Sequence, residues 1–134
     1  LVICKDVMEH LLDPQSLAAE IARILTVGGS ALVHVPNQLN LIGRIRLLFT
    51  NEIDTFNYFP GHKRWHYPHI RFFTKKTFIE LFKLVGLNPE LDLCGHFASP
   101  ARFKKLPFGI MWYLATNYTD NFSEGITIVF RRVK

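Results

Sequence analysis

Acid–base residues cluster just after the first apolar run of the chain. Glu9 and His10 are adjacent there, and Cys4, Lys5 and Asp6 lead into them. A histidine beside a carboxylate can take the proton from a hydroxyl or amine that attacks an electrophile near neutral pH. The same pair can also serve structure alone, by capping and packing the turn. We therefore treat Glu9 and His10 as candidate catalytic residues, with a structural role as the open alternative.

A second candidate site is a basic, aromatic segment that has no acidic residue between Asp54 and Glu80. Trp65 and Arg71 lie in this segment, and Arg44 lies on an amphipathic stretch just before it. Cations interleaved with aromatic rings can bind a nucleotide, an anionic sugar or a phosphate by charge and stacking. The alternative is a satellite core of aromatic side chains beneath a long loop, with the charges in solvent.

Strands and helices alternate among the elements that must position these residues. The apolar patterns predict strands at 1–5, 30–35, 91–94 and 126–133. They predict helices at 13–25, 39–49 and 74–85, and a shorter apolar helical patch at 109–115. Asp13-Pro14 is a helix-start signal, and Gly28-Gly29 is a stop signal. A strand, a helix and a strand with short links indicate a crossover unit of a parallel α/β sheet.

The ordered set of motifs resembles the class I S-adenosylmethionine-dependent methyltransferases, in their small-molecule branch. The matching residues are the opening strand with Glu9-His10, the Gly28-Gly29 turn, the strand that ends in Pro36-Asn37, and the block from His69 to Thr74. The resemblance implies an α/β fold, namely the C-terminal part of a Rossmann-like methyltransferase sheet with parallel strands, crossover helices and a final antiparallel strand. It implies one partial methyltransferase domain over 1–134, with a lid or substrate insertion at 38–73.

The resemblance also implies a cofactor and a set of site residues. S-adenosylmethionine would supply a methyl group to oxygen, nitrogen or carbon of a small-molecule acceptor. Cys4, Lys5 and Asp6 would lie beside this cofactor, although they can equally be a plain strand-to-helix turn. The implied catalytic residues are His10, Glu9 and His69. The implied substrate-binding residues are Arg44, Trp65 and Arg71.

A divalent cation is an alternative that the resemblance also carries, although our main interpretation needs no metal. Asp6-x-x-Glu9-His10 with a distant histidine is similar to the metal-binding set of the ubiquinone-biosynthesis O-methyltransferases and the small-RNA 2′-O-methyltransferases. Those groups have glutamate where this chain has Asp6, which shortens the reach by one methylene. The candidates for the distant ligand are His62, His66 and His69, of which His69 is best placed. Such a set would lower the pKa of a hydroxyl acceptor.

Two parts of the family's cofactor site have no counterpart in these residues. The glycine-rich turn that holds the methionine part and the acidic residue that binds the ribose would both precede Leu1. We therefore expect the chain to be inactive alone, and to pair with a missing N-terminal half or with a second chain. Two other classes stay open: a non-catalytic binding or scaffold module with a degenerate methyltransferase fold, and a nucleic-acid-binding domain.

The composition is that of one globular domain with a mild positive charge. Of 134 residues, 49% are hydrophobic and 20% charged, and 16 Lys+Arg against 11 Asp+Glu give a net charge of +5. This charge suits an anionic ligand. It is not concentrated as nucleic-acid-binding motifs require, so we expect no stable nucleic-acid partner.

Cysteine content and hydropathy predict a cytoplasmic protein without a transmembrane segment. Cys4 and Cys94 are too few and too far apart for a disulfide framework or a zinc site. No apolar stretch reaches the roughly 18–20 residues that a membrane span needs. The amphipathic helix at 39–49 leaves an interfacial membrane helix as an alternative.

Overall fold

The structure, a computed structural model, describes residues 1–51, 69–94 and 123–134. The strands in these ranges are β1 (Val2–Lys5), β2 (Ser30–Pro36), β3 (Leu87–Asp92) and β4 (Gly125–Arg132). The helices are α1 (Pro14–Ile24), α2 (Leu41–Thr50) and α3 (Lys75–Leu84), and a 3-10 turn covers Met8–His10. Within the described ranges, no helix is both long and apolar enough to cross a membrane.

Capping side chains determine where α1 and α3 begin. The Asp13 carboxylate accepts hydrogen bonds from two main-chain amides of the first turn of α1, at 3.1 and 3.2 Å. Pro14 follows at the first helical position, where the missing amide hydrogen costs nothing. At α3, Thr74 and Thr77 exchange side-chain and main-chain hydrogen bonds in a capping box. Both predicted helix starts are therefore confirmed.

The four strands form one mixed sheet in the order β1-β2-β4-β3. β1 and β2 are parallel, with Ile3 opposite Leu32, and α1 connects them as the predicted crossover unit. β4 is antiparallel to β2 on one side and to β3 on the other. The fold of the described residues is thus α/β, and the predicted final antiparallel strand is present.

The third strand is displaced from its predicted position. The sequence pattern predicts a strand at 91–94, whereas β3 spans Leu87–Asp92 and ends before Cys94. β3 contains Pro89, and its pairing with β4 is irregular between Pro89 and Leu91. Proline has no amide hydrogen to donate, so it is tolerated at a sheet edge. Among the described strands, β3 pairs with β4 alone, which meets that condition.

An apolar core joins α1 and α3 to the sheet. Phe130 of β4 packs against Phe78 and Phe82 of α3, with ring centroids 5.9 and 4.2 Å apart. Ala18 and Ile21 of α1 are buried in the same core. This packing holds β1 and β2 side by side, so their carboxyl ends lie together at one edge of the sheet.

Several sequence predictions concern residues outside the described ranges. They are the substrate candidate Trp65, the candidate ligands His62 and His66, and the helical patch at 109–115. α2 belongs to the predicted lid insertion at 38–73, and its bounds agree with the predicted helix at 39–49 to within two residues.

Candidate active site

The chain turns sharply at the carboxyl end of β1. Asp6 has a left-handed backbone conformation, with φ of 53°, and its amide donates a hydrogen bond of 3.2 Å to the His34 carbonyl of β2. This conformation is uncommon outside glycine, and aspartate tolerates it better than bulky residues do. The 3-10 turn follows and buries Glu9 while His10 remains partly exposed. The turn therefore places Glu9 and His10 just beyond β1.

Glu9, His10 and His69 form one compact cluster. The Nε2 atoms of His10 and His69 lie 3.8 and 3.9 Å from Oε1 of Glu9. The two imidazole rings meet edge to face, with centroids 4.7 Å apart. The side chains of Glu9 and His69 are buried, whereas that of His10 is 40% exposed. A substrate can thus reach the cluster on the His10 side.

Main-chain hydrogen bonds bring His69 to this cluster from far along the chain. The amides of Ile70 and Arg71 both donate to the Glu9 carbonyl, at 2.9 and 3.1 Å. The Arg71 guanidinium donates to the Leu12 carbonyl in the same stretch of chain. Arg71, predicted as a substrate contact, therefore lies at the border of the cluster and uses one donor to hold it together.

The Glu9 carboxylate is in an unusual electrostatic environment. Both of its oxygens are buried, and neither has a hydrogen-bond partner among the described residues. Burial raises the pKa of this carboxyl above its ordinary value. The Glu9 amide and His10 oppose that rise in pKa, although the amide does not reach hydrogen-bond geometry. A buried, unpartnered carboxylate is costly, so it favours a proton or a cation nearby.

Gln38 controls which nitrogen of His69 carries a proton. Its amide nitrogen Nε2 lies 2.7 Å from Nδ1 of His69, and both residues are buried. If Nδ1 accepts from the amide NH2, Nε2 carries the hydrogen towards Glu9. If the amide oxygen accepts from Nδ1, Nε2 presents a lone pair instead. Gln38 is absent from the predicted site residues; the available signal was a polar residue two positions after the end of β2.

The predicted cofactor residues lie together at the end of β1 but differ in environment. Cys4 is buried, and burial, followed by the Glu9 charge, raises the pKa of its thiol. Lys5 and Asp6 are exposed and form an ion pair of 3.7 Å. Asp6 also lies 3.4 Å from Nε2 of His34. Among the described residues, the potential ligand cluster contains only Glu9 with the two histidines, so Asp6 is not part of it.

His34 belongs to a cavity beside the same strand ends. The cavity has a volume of about 340 Å³, within the range of small-ligand sites. The described residues that line it are Lys5, Leu32, His34, Glu124, Gly125 and Thr127. Nδ1 of His34 lies 2.7 Å from the Thr127 hydroxyl. Burial lowers the pKa of the His34 imidazole. The apolar neighbours of His34 in the sequence predict a satisfied core histidine. Its position near the end of the second parallel strand was the available signal for a role at the cavity.

Arg44, predicted as a substrate contact, lies on the first turns of α2. Its Nε donates a hydrogen bond of 2.6 Å to the Leu39 carbonyl, just before the helix. The side chain is exposed. The structure therefore places Arg44 at the surface of the helix and shows no contact between it and the histidine cluster among the described residues.

The histidine cluster has a donor set that fits a divalent cation. One carboxylate oxygen and two imidazole nitrogens are ligands that zinc and other transition metals commonly use. These atoms lie within 4.8 Å of one another. Ligands about 2.1 Å from one tetrahedral ion lie about 3.4 Å apart, so small inward shifts would complete the site. The unpartnered oxygens of Glu9 are the observation that favours such an ion.

Comparisons with known proteins find similarity in structure alone. No family model matches the chain. No curated protein matches it significantly either. A solved chain from a complex between the Haloferax volcanii Trm112 methyltransferase activator and a protein described as a methyltransferase is similar, with a TM-score of 0.54 and 16% identity. The similarity covers 99% of this chain and 54% of the solved one, so this chain spans about half of that length.

Proposed function

We propose that this chain is the C-terminal part of an S-adenosylmethionine-dependent methyltransferase that acts on a small-molecule acceptor. The observation that carries the proposal is the Glu9–His10–His69 cluster at the carboxyl end of β1. Open α/β sheets bind their ligands beyond these strand ends. The sheet order supports a Rossmann-like methyltransferase sheet, with a parallel pair followed by an antiparallel last strand. The similarity to a chain from a methyltransferase–activator complex supports the same fold.

The cluster supplies the groups that a methyl transfer requires. Bound beside Cys4–Asp6, S-adenosylmethionine would supply an electrophilic methyl group on sulfonium. The exposed edge of His10 can accept the proton of an acceptor hydroxyl or amine as that group attacks. Ionised Glu9, 3.8 Å from His10 Nε2, then stabilises the imidazolium. The Nε2 atom of buried His69 lies 3.9 Å from the same Glu9 oxygen, beside the His10 ring.

Cofactor binding is tested by calorimetric titration with S-adenosylhomocysteine. The titration uses the 134-residue chain and any longer natural protein that contains it. We expect binding by the longer protein, and weaker binding after Asp6→Ala because the turn beside β1 is altered. Glu80→Gln, on the exposed surface of α3, is the control and should bind as the natural chain does. Absence of binding in every form would refute the methyltransferase proposal.

The role of His10 is tested by methyl-transfer rates. We expect His10→Ala to lower the rate by about 10²-fold or more, because a general base is lost. Added imidazole should restore part of that rate in His10→Ala and should not affect the control Glu80→Gln. A rate that His10→Ala leaves unchanged assigns His10 to structure.

The second candidate is a divalent cation in the same cluster, favoured by the unpartnered oxygens of Glu9. Glu9, His10 and His69 would hold the ion, and the ion would lower the pKa of an acceptor hydroxyl. Titration with manganese or zinc should then show one site that is lost in Glu9→Gln and His69→Ala and kept in Glu80→Gln. Full methyl transfer by protein treated with EDTA would refute the cation and leave the histidine base.

A further inference from the structure

α2 exposes a continuous stripe of apolar side chains. The residues of the stripe are Leu41, Ile45, Leu48 and Phe49. At 3.6 residues per turn, these positions share about 100° of the helix surface. Leu48 and Phe49 are 76% and 79% exposed. Single exposed leucines are ordinary, but a stripe along one helix face marks a surface that meets another apolar phase.

The side of α2 opposite the stripe lies, at its first turn, against the loop that precedes the helix. Gly43 lies there, and a Cβ atom added to it would come within 2.1 Å of the Gln38 carbonyl oxygen. The Asn40 side chain accepts a hydrogen bond of 2.8 Å from the Gly43 amide, which fixes the start of the helix against the same loop. The preceding loop therefore covers this side of the first turn and leaves the apolar stripe exposed.

Positive charge borders the stripe on both sides. In the helical projection, Arg44 lies beside Leu48 and Arg46 lies beside Phe49. None of the ten residues of α2 is acidic, and the chain as a whole carries a net charge of +5. An apolar face bordered by arginines is typical of helices that lie in a membrane interface, where the apolar side chains enter the acyl boundary and the cations reach the phosphates.

We propose that α2 docks this protein on an anionic membrane surface. A second copy of the chain is a poor occupant of the stripe, because the bordering arginines of two copies would repel each other. The helix is also only about 15 Å long, and a stable protein interface buries about 800 Å² on each partner. A lipid surface satisfies both the apolar stripe and its cationic borders. This docking is independent of the proposed methyl transfer.

Vesicle sedimentation of the 134-residue chain tests the docking. Phosphatidylcholine vesicles are compared with mixed phosphatidylcholine–phosphatidylserine vesicles. We expect the natural chain to sediment with the anionic vesicles alone, and less so as NaCl is raised. Leu48→Glu with Phe49→Glu should lower the partition coefficient about tenfold or more, because both the apolar contact and the charge attraction are reduced.

The matched control is Leu84→Glu on α3, because Leu84 is 73% exposed and resembles Leu48 in exposure. It should bind vesicles as the natural chain does, and circular dichroism should show that the variants remain folded. If the double variant unfolds, Arg44→Gln and the salt dependence of the natural chain provide the same test. Failure of the natural chain to bind anionic vesicles overturns the proposal. So does an equal loss in Leu84→Glu, or a dimer that the double variant dissociates without any vesicle binding.

Discussion

Gly125→Ala is expected to disturb the cavity through His34. Gly125 is at the start of β4, opposite Pro36 of β2. A Cβ atom added there would lie 2.2 Å from Cε1 of the His34 ring, so the ring must move. The ring now lies 2.7 Å from the Thr127 hydroxyl, and Thr127 is buried. The substitution therefore displaces the ring and also removes the partner of a buried hydroxyl.

The size of the effect follows from these two consequences. Overpacking of a filled site costs about 1–3 kcal/mol, and a buried hydroxyl that loses its partner costs about 1–3 kcal/mol. Since partial relaxation lets the two overlap, we expect Gly125→Ala to lower the free energy of unfolding by about 2–4 kcal/mol. In a His34→Ala background the ring is absent, so Gly125→Ala should cost less than about 1 kcal/mol.

Urea unfolding of the four proteins in this double-mutant cycle measures the coupling. We expect a coupling energy of about 1–3 kcal/mol between positions 34 and 125. Gly86→Ala is the control: its φ is +81° and nothing lies within 4 Å of an added Cβ, so its cost comes from the backbone and should be equal in both backgrounds. Additive effects of Gly125→Ala and His34→Ala would refute the steric reasoning.

Three further predictions concern two helix caps and Cys94. The hydrogen bond from the Ser16 hydroxyl holds the pKa of Asp13 below its ordinary value. The ionised Asp13 cap therefore stabilises the folded chain fully when the pH is above the ordinary pKa, and this contribution is lost as the pH falls through the lowered pKa. The stability difference between the natural chain and Asp13→Ala should therefore narrow in acid unfolding below about pH 4, and a constant difference would contradict this. Thr74→Ala removes the capping box of α3 and should lower the free energy of unfolding by about 1 kcal/mol in urea, whereas no loss would show that the cap is dispensable. Burial, followed by Asp92, raises the pKa of Cys94 to about 12, so iodoacetamide at pH 8 should label it in unfolded protein only, and rapid labelling of folded protein would refute its burial.

Local signals were sufficient to predict most of the described secondary structure. The start of α1 follows from the Asp13 side chain and from Pro14, which act within a single turn. The start of α3 follows in the same way from Thr74. β2 is predicted by a run of apolar residues that Pro36 ends. These elements could be read from the sequence because each signal and its effect are only a few residues apart.

β3 shows where local signals are insufficient. Asn88, Pro89 and Glu90 are poor strand formers, so the pattern favoured the alternating residues that follow them. Pairing with β4 outweighs this local preference, and the irregularity after Pro89 accommodates it. The position of β3 is decided by a partner strand that is distant in sequence.

In the candidate site too, some features follow from the sequence and others only from the tertiary structure. The sequence by itself determined that Glu9 and His10 are adjacent and follow an apolar strand after a short turn, although it did not show that Ile3 of this strand is 67% exposed. The family resemblance already pointed to His69, but only the tertiary structure shows how it reaches them, through the amides of Ile70 and Arg71 on the Glu9 carbonyl. It also decided that Asp6 faces His34 and not this cluster. The reason is physical: strand and turn preferences act over a few residues, whereas contacts between distant segments form only when the packed core brings them together.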